Sequence, residues 1–299
     1  MGYKRTGCTI VAANDIDPEM AYHYKRNLSP PLYYLCPIRD LLAKDLPDHL
    51  FKLDILDGSP PCSTFSMAGS REKSWGKDKH FREGQAKQVL SDLFFDYLDL
   101  VERLKPRVAI AENVKGMIMG NAKGYTKLVM ARFKEIGYRV QLFLVNAADC
   151  GVPQRRERVF FCAVREDVSD KKLELNPKER WVGVLESCND IRDLSSYRLV
   201  TATNQRHLAS DWAKAKPNHT WDWDASKPSP TICSGGQKEL VNSKMQFLDL
   251  TFREYKRLGS FPDDYHAKTD KIGKYMIGMS VPPKMTEVVA RAVVEQWLA

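Results

Sequence analysis

Apolar positions along this chain come in short runs separated by amphipathic stretches. Thr9–Ala13 reads as a short strand, and Pro18–Asn27 as a helix with proline near its first turn. The apolar run Phe51–Leu56 ends in Ile55 and Leu56, which lead into a turn; Val89–Leu104 then has the pattern of a long amphipathic helix. Val108–Ala111 is a β-type run, Tyr125–Ile136 a helix, Val140–Val145 a strand, and Val159–Val164 a further apolar run. Strands alternating with helices predict an α/β fold with a doubly wound, mostly parallel sheet. Ligands of such sheets sit beyond the carboxyl ends of the strands. Asp15, Cys62 and Glu112 each fall just after an apolar run, and so belong on that rim.

From Arg165 to about Lys244 the pattern changes. The stretch is polar, lacks helical periodicity, and holds four of the six tryptophans: Trp181, Trp212, Trp221 and Trp223. A small inserted domain short of apolar residues would use most of these as its core. The expected organisation is therefore 1–164 as the main α/β domain, 165–244 as the insertion, and 245–299 as a segment returning to the first domain.

The most informative polar signal is Ser59-Pro60-Pro61-Cys62-Ser63-Thr64-Phe65-Ser66. Two prolines fix the backbone φ angle ahead of a single thiol, so Cys62 is presented by a stiff turn. Two charged signals follow: Glu112-Asn113-Val114 after the run Val108–Ala111, and Gln154-Arg155-Arg156-Glu157-Arg158 before the run Val159–Val164. Alone, Cys62 reads equally as a structural turn cysteine, Glu112 as a strand-end surface carboxylate, and Arg156 and Arg158 as solvated. Together they are the parts for attacking an electron-poor ring. A thiol ionises near pH ~8.5, and nearby guanidiniums raise its thiolate fraction. The thiolate adds to an unsaturated ring carbon if a neighbouring acid protonates the ring as charge develops. Cytosine fits this scheme, with addition at C6, protonation at N3, and C5 made nucleophilic.

The ordered series of motifs resembles the DNA cytosine-C5 methyltransferases over nearly the whole chain. It runs from Asn14-Asp15-Ile16-Asp17-Pro18 through the Pro-Pro-Cys-x-x-Phe-Ser turn, Asp92-Leu93-Phe94-Phe95 and Glu112-Asn113-Val114-Lys115-Gly116 to Asn146-Ala147-Ala148-Asp149 and Gly151–Arg158. It continues with Pro228-Ser229-Pro230-Thr231-Ile232, Leu250-Thr251-x-Arg253-Glu254, Phe261-Pro262-Asp263 and Ile277-Gly278-Met279-Ser280-Val281-Pro282-Pro283. The resemblance implies a Rossmann-like methyltransferase sheet with a target-recognition domain in 165–244. It implies double-stranded DNA as partner, S-adenosylmethionine as cofactor (S-adenosylhomocysteine as product), and no metal. By the same resemblance Cys62, Glu112, Arg156 and Arg158 are catalytic. Asp15 would hold the ribose hydroxyls, Ile16 the adenine, and Ile38, Pro61, Leu93 and Ser280 other parts of the cofactor. The loop Gly69–Lys87, with Arg71, Lys73, Lys77, Lys79, His80, Arg82 and Lys87, would close over DNA and grip its phosphates.

Three departures stand beside this match. The family's Phe-x-Gly-x-Gly-Gly loop would lie just before Met1, Pro37 stands where an acidic residue usually meets the adenine amino group, and Met279 replaces an asparagine. A start codon assigned too late, a second polypeptide supplying the loop, and a non-catalytic DNA-binding copy are the competing explanations. The family's tRNA-directed branch is a further alternative, weakened by the lack of its Cys-Phe-Thr triplet.

Composition adds little. A net charge of +8 and a pI near 9.0 suit a polyanionic partner. The stretch 165–244 carries 13 Lys/Arg against 12 Asp/Glu, so the excess positive charge lies elsewhere. Seven cysteines without a Cys-x-x-Cys pair point to reduced thiols rather than a disulfide framework or zinc site. No apolar run approaches the ~18 residues of a membrane span. A cytoplasmic, nucleoid-associated protein of bacterial or phage origin is expected.

Overall fold

The computed structural model describes residues 1–60, 78–79, 88–89, 93–120, 122–191, 193, 197–201, 226–233, 238–242 and 247–299. They divide into two compact units. One contains Tyr3–Val145, Glu157–Asn176 and Val289–Ala299; the other contains Met1–Gly2, Asn146–Arg156 and Pro177–Val288. This division cuts across the three segments expected from sequence, because Asn146–Arg156 packs with later residues and Glu157–Asn176 with earlier ones.

The first unit is the α/β layer structure. After a short helix α1 (Gly2–Arg5) come β1 (Ala12–Asp15), α2 (Pro18–Leu28), β2 (Leu32–Leu35), α3 (Ile38–Ala43) and β3 (Ile55–Gly58). A two-residue antiparallel pairing of β4 (Asp78–Lys79) with β5 (Gln88–Val89) follows. Then come α4 (Leu93–Leu104), β6 (Val108–Val114), α5 (Ala122–Glu135), β7 (Tyr138–Asn146) and β8 (Glu157–Arg165). Strands β3, β6, β8 and β7 form one sheet in that order, and β1 and β2 form a separate pair. The pairs β1–β2 and β3–β6 are parallel, whereas β8 runs antiparallel to β6.

Burial explains the order. The run Val108–Ala111 is fully buried, as a strand covered on both faces requires. It is flanked by Phe160–Val164 of β8, equally buried. Phe94, Tyr97, Leu98 and Val101 of α4 and Val129 and Phe133 of α5 pack against Ala109, Ala111, Phe161 and Ala163. A second cluster joins Leu41, Leu46, Leu50, Leu100 and Leu104, with Ala12, Leu32 and Leu56 packed against it. Helix α2 starts as the sequence predicts: Asp17 caps it through Oδ1 and Pro18 opens it.

Two sequence expectations shift. The first strand begins at Ala12 rather than Thr9, because β2 offers partners only to Ala12–Asp15. The helix expected from Val89 is described from Leu93, since Val89 is extended and paired with Asp78.

The second unit contains α6 (Val184–Cys188) and an antiparallel sheet ordered β11 (Phe247–Asp249), β10 (Lys238–Asn242), β9 (Tyr197–Thr201). Helices α7 (Phe252–Leu258) and α8 (Asp270–Met279) follow, and α9 (Pro283–Val293) begins in this unit. Its core gathers Val184, Cys188, Ile232, Leu250, Tyr255, Leu258 and Ile277. A reciprocal cap starts α7: Thr251 accepts from the Glu254 N–H through Oγ1, while Glu254 Oε2 accepts the Thr251 N–H at 2.7 Å. Of the four tryptophans, most of which were expected as core, Trp181 is 46% exposed with its indole N–H on Asp149 Oδ1 at 2.7 Å. Trp212, Trp221 and Trp223 lie outside the described residues. Among the described residues no helix is long and apolar enough to cross a membrane, and no three His, Cys, Asp or Glu side chains are grouped to hold a metal.

Candidate active site

Antiparallel pairing of β6 with β8 sets Val114 opposite Arg158 and Glu112 opposite Phe160. Glu112 and Arg158 are thus diagonal neighbours on one face, close enough for long side chains to meet. Arg158 Nε lies 2.9 Å from Glu112 Oε1, and both side chains are nearly buried. Arg158 also donates from Nη1 to the Glu157 carbonyl at 2.8 Å. Beside them Lys115 Nζ reaches Glu157 Oε2 at 2.8 Å, a half-exposed pair at the same strand ends.

The next residue of β6 had no role in the sequence reading. Asn113, buried, donates from Nδ2 to the Pro60 carbonyl at 3.1 Å and accepts the Val114 N–H at 2.9 Å through Oδ1. Pro60 is two residues before Cys62 in sequence, so this bond fixes the last described residue ahead of it. Pro61 and Cys62 themselves, and Lys73, Lys77, Arg71, His80, Arg82 and Lys87 of the expected DNA-gripping loop, lie outside the described residues. Strand β3 beneath is pinned by Tyr97, whose hydroxyl stands 3.0 Å from the Leu56 carbonyl and 2.9 Å from that of Ile110. A Cβ on Gly58 would come within 2.6 Å of the Tyr97 ring, so only glycine fits there.

Asp57, also unassigned from sequence, accepts a hydrogen bond from the Tyr3 hydroxyl at 2.6 Å. The side chain is exposed, and its carboxyl is raised to about 6 chiefly by desolvation, with the Tyr3 hydroxyl opposing and the Glu112 charge adding. Neither Asp57 nor Tyr3 belongs to a motif, and no pattern in the sequence pairs residues 54 positions apart.

The residues expected to hold a cofactor in this unit cluster at element ends. Asp15 closes β1; its Oδ1 accepts the Asp17 N–H at 2.8 Å, and its carboxyl is raised chiefly by burial. The backbone of Ile16 also donates to this carboxylate, which acts as an acceptor at the strand end. Ile16 follows, half-buried; Ile38 opens α3 and packs into both hydrophobic clusters; Leu93 opens α4 and is buried. A carboxylate acceptor and aliphatic side chains are the chemistry that the ribose and adenine of a nucleoside call for. Pro37 precedes α3 as a cap without a side-chain hydrogen bond.

The other unit holds the second arginine of the motif. The segment Pro153–Arg156 is zipped to Ser229–Ile232: Ser229 N–H donates to Pro153 O at 2.9 Å, Arg155 N–H to Ser229 O at 2.7 Å, and Thr231 Oγ1 to Arg155 O at 2.8 Å. Gln154, 1% exposed, accepts the Ile232 N–H at 3.0 Å and donates to Leu258 O at 3.2 Å. Arg156, 2% exposed, donates to Ile232 O at 2.8 Å and to Gly278 O at 3.0 Å. Ser280 follows α8; its hydroxyl donates to Met276 O at 2.7 Å. Met279 before it is 54% exposed.

Comparison with known proteins places the chain in one family. The model of C-5 cytosine-specific DNA methylases matches residues 1–232 and 214–295, and the chain belongs to that family. The Type II methyltransferase M.FnuDI of Fusobacterium nucleatum is 26% identical over 331 residues, covering 99% of this chain and 90% of the relative. Among solved structures, a DNMT2 variant from Spodoptera frugiperda superposes with a TM-score of 0.68 at 17% identity, covering 98% of this chain and 95% of that one. The Dnmt2 methyltransferase of S. pombe gives 0.65 at 18% identity, covering 98% and 93%. These likenesses establish a Rossmann-like methyltransferase fold.

Proposed function

We propose that this protein transfers a methyl group from S-adenosylmethionine to C5 of cytosine in a specific double-stranded DNA sequence, in bacterial or phage-infected cells. The observation that carries the reading is the Glu112–Arg158 contact of 2.9 Å at paired strand ends, with Asn113 holding Pro60, two residues before Cys62 in sequence. It supports an acid and a cation fixed in one place, which ring attack by a thiolate needs.

The target base must leave the stacked duplex, at a cost of a few kcal/mol. Cys62 Sγ forms a bond to C6 while Glu112 donates a proton at N3 and hydrogen-bonds the exocyclic amine. Arg158 holds Glu112 in place and stabilises the flipped nucleotide. Asp15, Ile16, Ile38, Pro61, Leu93 and Ser280 would bind the cofactor, which when bound supplies an electrophilic methyl group. Loss of the C5 proton and elimination of Cys62 then restore the ring and free the thiol.

Bisulfite sequencing of DNA from cells expressing the chain tests this, beside a Cys62→Ala control. Methylation at one sequence context that vanishes with Cys62→Ala is the expected result. Undiminished methylation in the Cys62→Ala cells would remove the covalent mechanism. No methylation from the parent chain, with DNA binding intact and insensitive to cofactor, would favour a non-catalytic binder or one needing a second polypeptide.

A further inference from the structure

We propose that Arg156 is a positioning residue that registers the turn carrying Ser280 against the Thr231–Ile232 segment, and does not itself touch the base; this rests on the methyl-transfer reading above. A buried guanidinium is costly unless its charge and donors are matched. Here Nη1 donates to the Ile232 carbonyl and Nη2 to that of Gly278, 76 and 122 residues away in sequence. The second contact has a specific meaning. Gly278 lies in the last turn of α8, where carbonyls have no partner within the helix and carry negative partial charge. Ser280 satisfies two others, its N–H donating to Met276 O at 3.0 Å and to Ile277 O at 3.3 Å. Arg156 thus completes the closing turn from which Ser280 projects.

The same side chain meets the segment that Gln154 and Arg155 already hold. Ile232 is fixed at its N–H by Gln154 and at its carbonyl by Arg156. Gln154 and Arg156 of one short segment therefore grip Ile232 from both sides, and among the described residues of that segment only Arg156 extends the grip to Gly278. Arg158, two positions on, is used differently: its Nε meets the Glu112 carboxylate. The paired arginines divide the work, one for the reacting base and one for the frame. Lysine cannot replace Arg156 in this frame, because a single ammonium lacks the planar fork that reaches two carbonyls.

The test compares the parent chain with Arg156→Lys and Arg158→Lys. In Arg156→Lys, amide hydrogen exchange without cofactor should quicken for peptides covering Thr231–Ile232 and Gly278–Ser280 and stay unchanged elsewhere. S-adenosylhomocysteine binding by calorimetry should weaken about tenfold, as loss of one charge-assisted hydrogen bond predicts, while kcat at saturating cofactor stays within about threefold. Arg158→Lys should do the reverse, lowering kcat with binding unchanged. Unaltered exchange at those two segments overturns the proposal whatever the kinetics show. So does a fall in kcat matching that of Arg158→Lys with cofactor affinity intact, or a lower thermal midpoint as the sole effect. A parent chain that binds no S-adenosylhomocysteine and methylates nothing counts against the function, and the exchange result still decides the role of Arg156.

Discussion

Single residues decide the chemistry. If Glu112 is the proton donor, Glu112→Gln keeps its hydrogen bonds but loses the proton; kcat should fall by about 10²–10⁴-fold in single-turnover methyl transfer. Asp57 makes a prediction about pH. Its folded-state carboxyl, raised to about 6, lies above the unfolded value near ~4, so the folded protein holds that proton more tightly. The stabilisation this brings is complete below about pH 4 and lost as pH rises through about 6. Asp57→Asn should therefore melt above the parent at pH 8, with the difference shrinking at pH 4.5. Thermal melts at the two values decide it. Glu112 and Arg158 were legible in sequence because each sits in a charged motif flanking an apolar run, and the pairing of β6 with β8 brings them together. Asp57–Tyr3 was not, since such a contact depends only on how β3 and α1 lie in the fold.

At the scale of elements, strand β3 depends on a close approach. Gly58→Ala would press a methyl group against the Tyr97 ring, and overpacking of this kind costs about 1–3 kcal/mol. Denaturant titration should show that loss, with slower methyl transfer because the cysteine turn begins two residues on. The reciprocal cap of α7 is a control far from that chemistry. Thr251→Ala should cost about 1 kcal/mol in the same titration and leave cofactor affinity alone. Periodicity located α2, α5 and β6 to within a few residues, because each buries a stripe or run against a core. It misplaced the start of β1 and the residues before α4, where partners rather than side chains decide: β2 pairs only from Leu32, and Val89 pairs with Asp78.

For the whole molecule, charge sets the partner. With a net charge of +8 and a near-neutral stretch at 165–244, DNA affinity should fall steeply with salt. Neutralising Lys73, Lys77 and Lys79 together should flatten the slope of log affinity against log salt by about 2–3; fluorescence anisotropy across 50–200 mM salt reads it, and an unchanged slope would show that these lysines meet no phosphate. Fold class was legible from alternation alone. The division into two units was not, because Asn146–Arg156 is held by hydrogen bonds to distant residues such as Ile232, 76 positions on, and Leu258, 104 positions on, which leave no trace in local pattern.

The distribution of sulfur has one last consequence. Cys150, Cys162 and Cys188 are buried, and desolvation pushes each thiol up, to about 12 for Cys150 and about 11 for Cys188. Such thiols stay protonated and out of reach of an alkylating reagent near neutral pH. The native protein should then take iodoacetamide only at Cys8, Cys36, Cys62 or Cys233, and the other three should label only as the cores open. Three silent sulfurs are a built-in gauge of unfolding, and what remains reactive is a short enough set for mass spectrometry to follow Cys62 by itself.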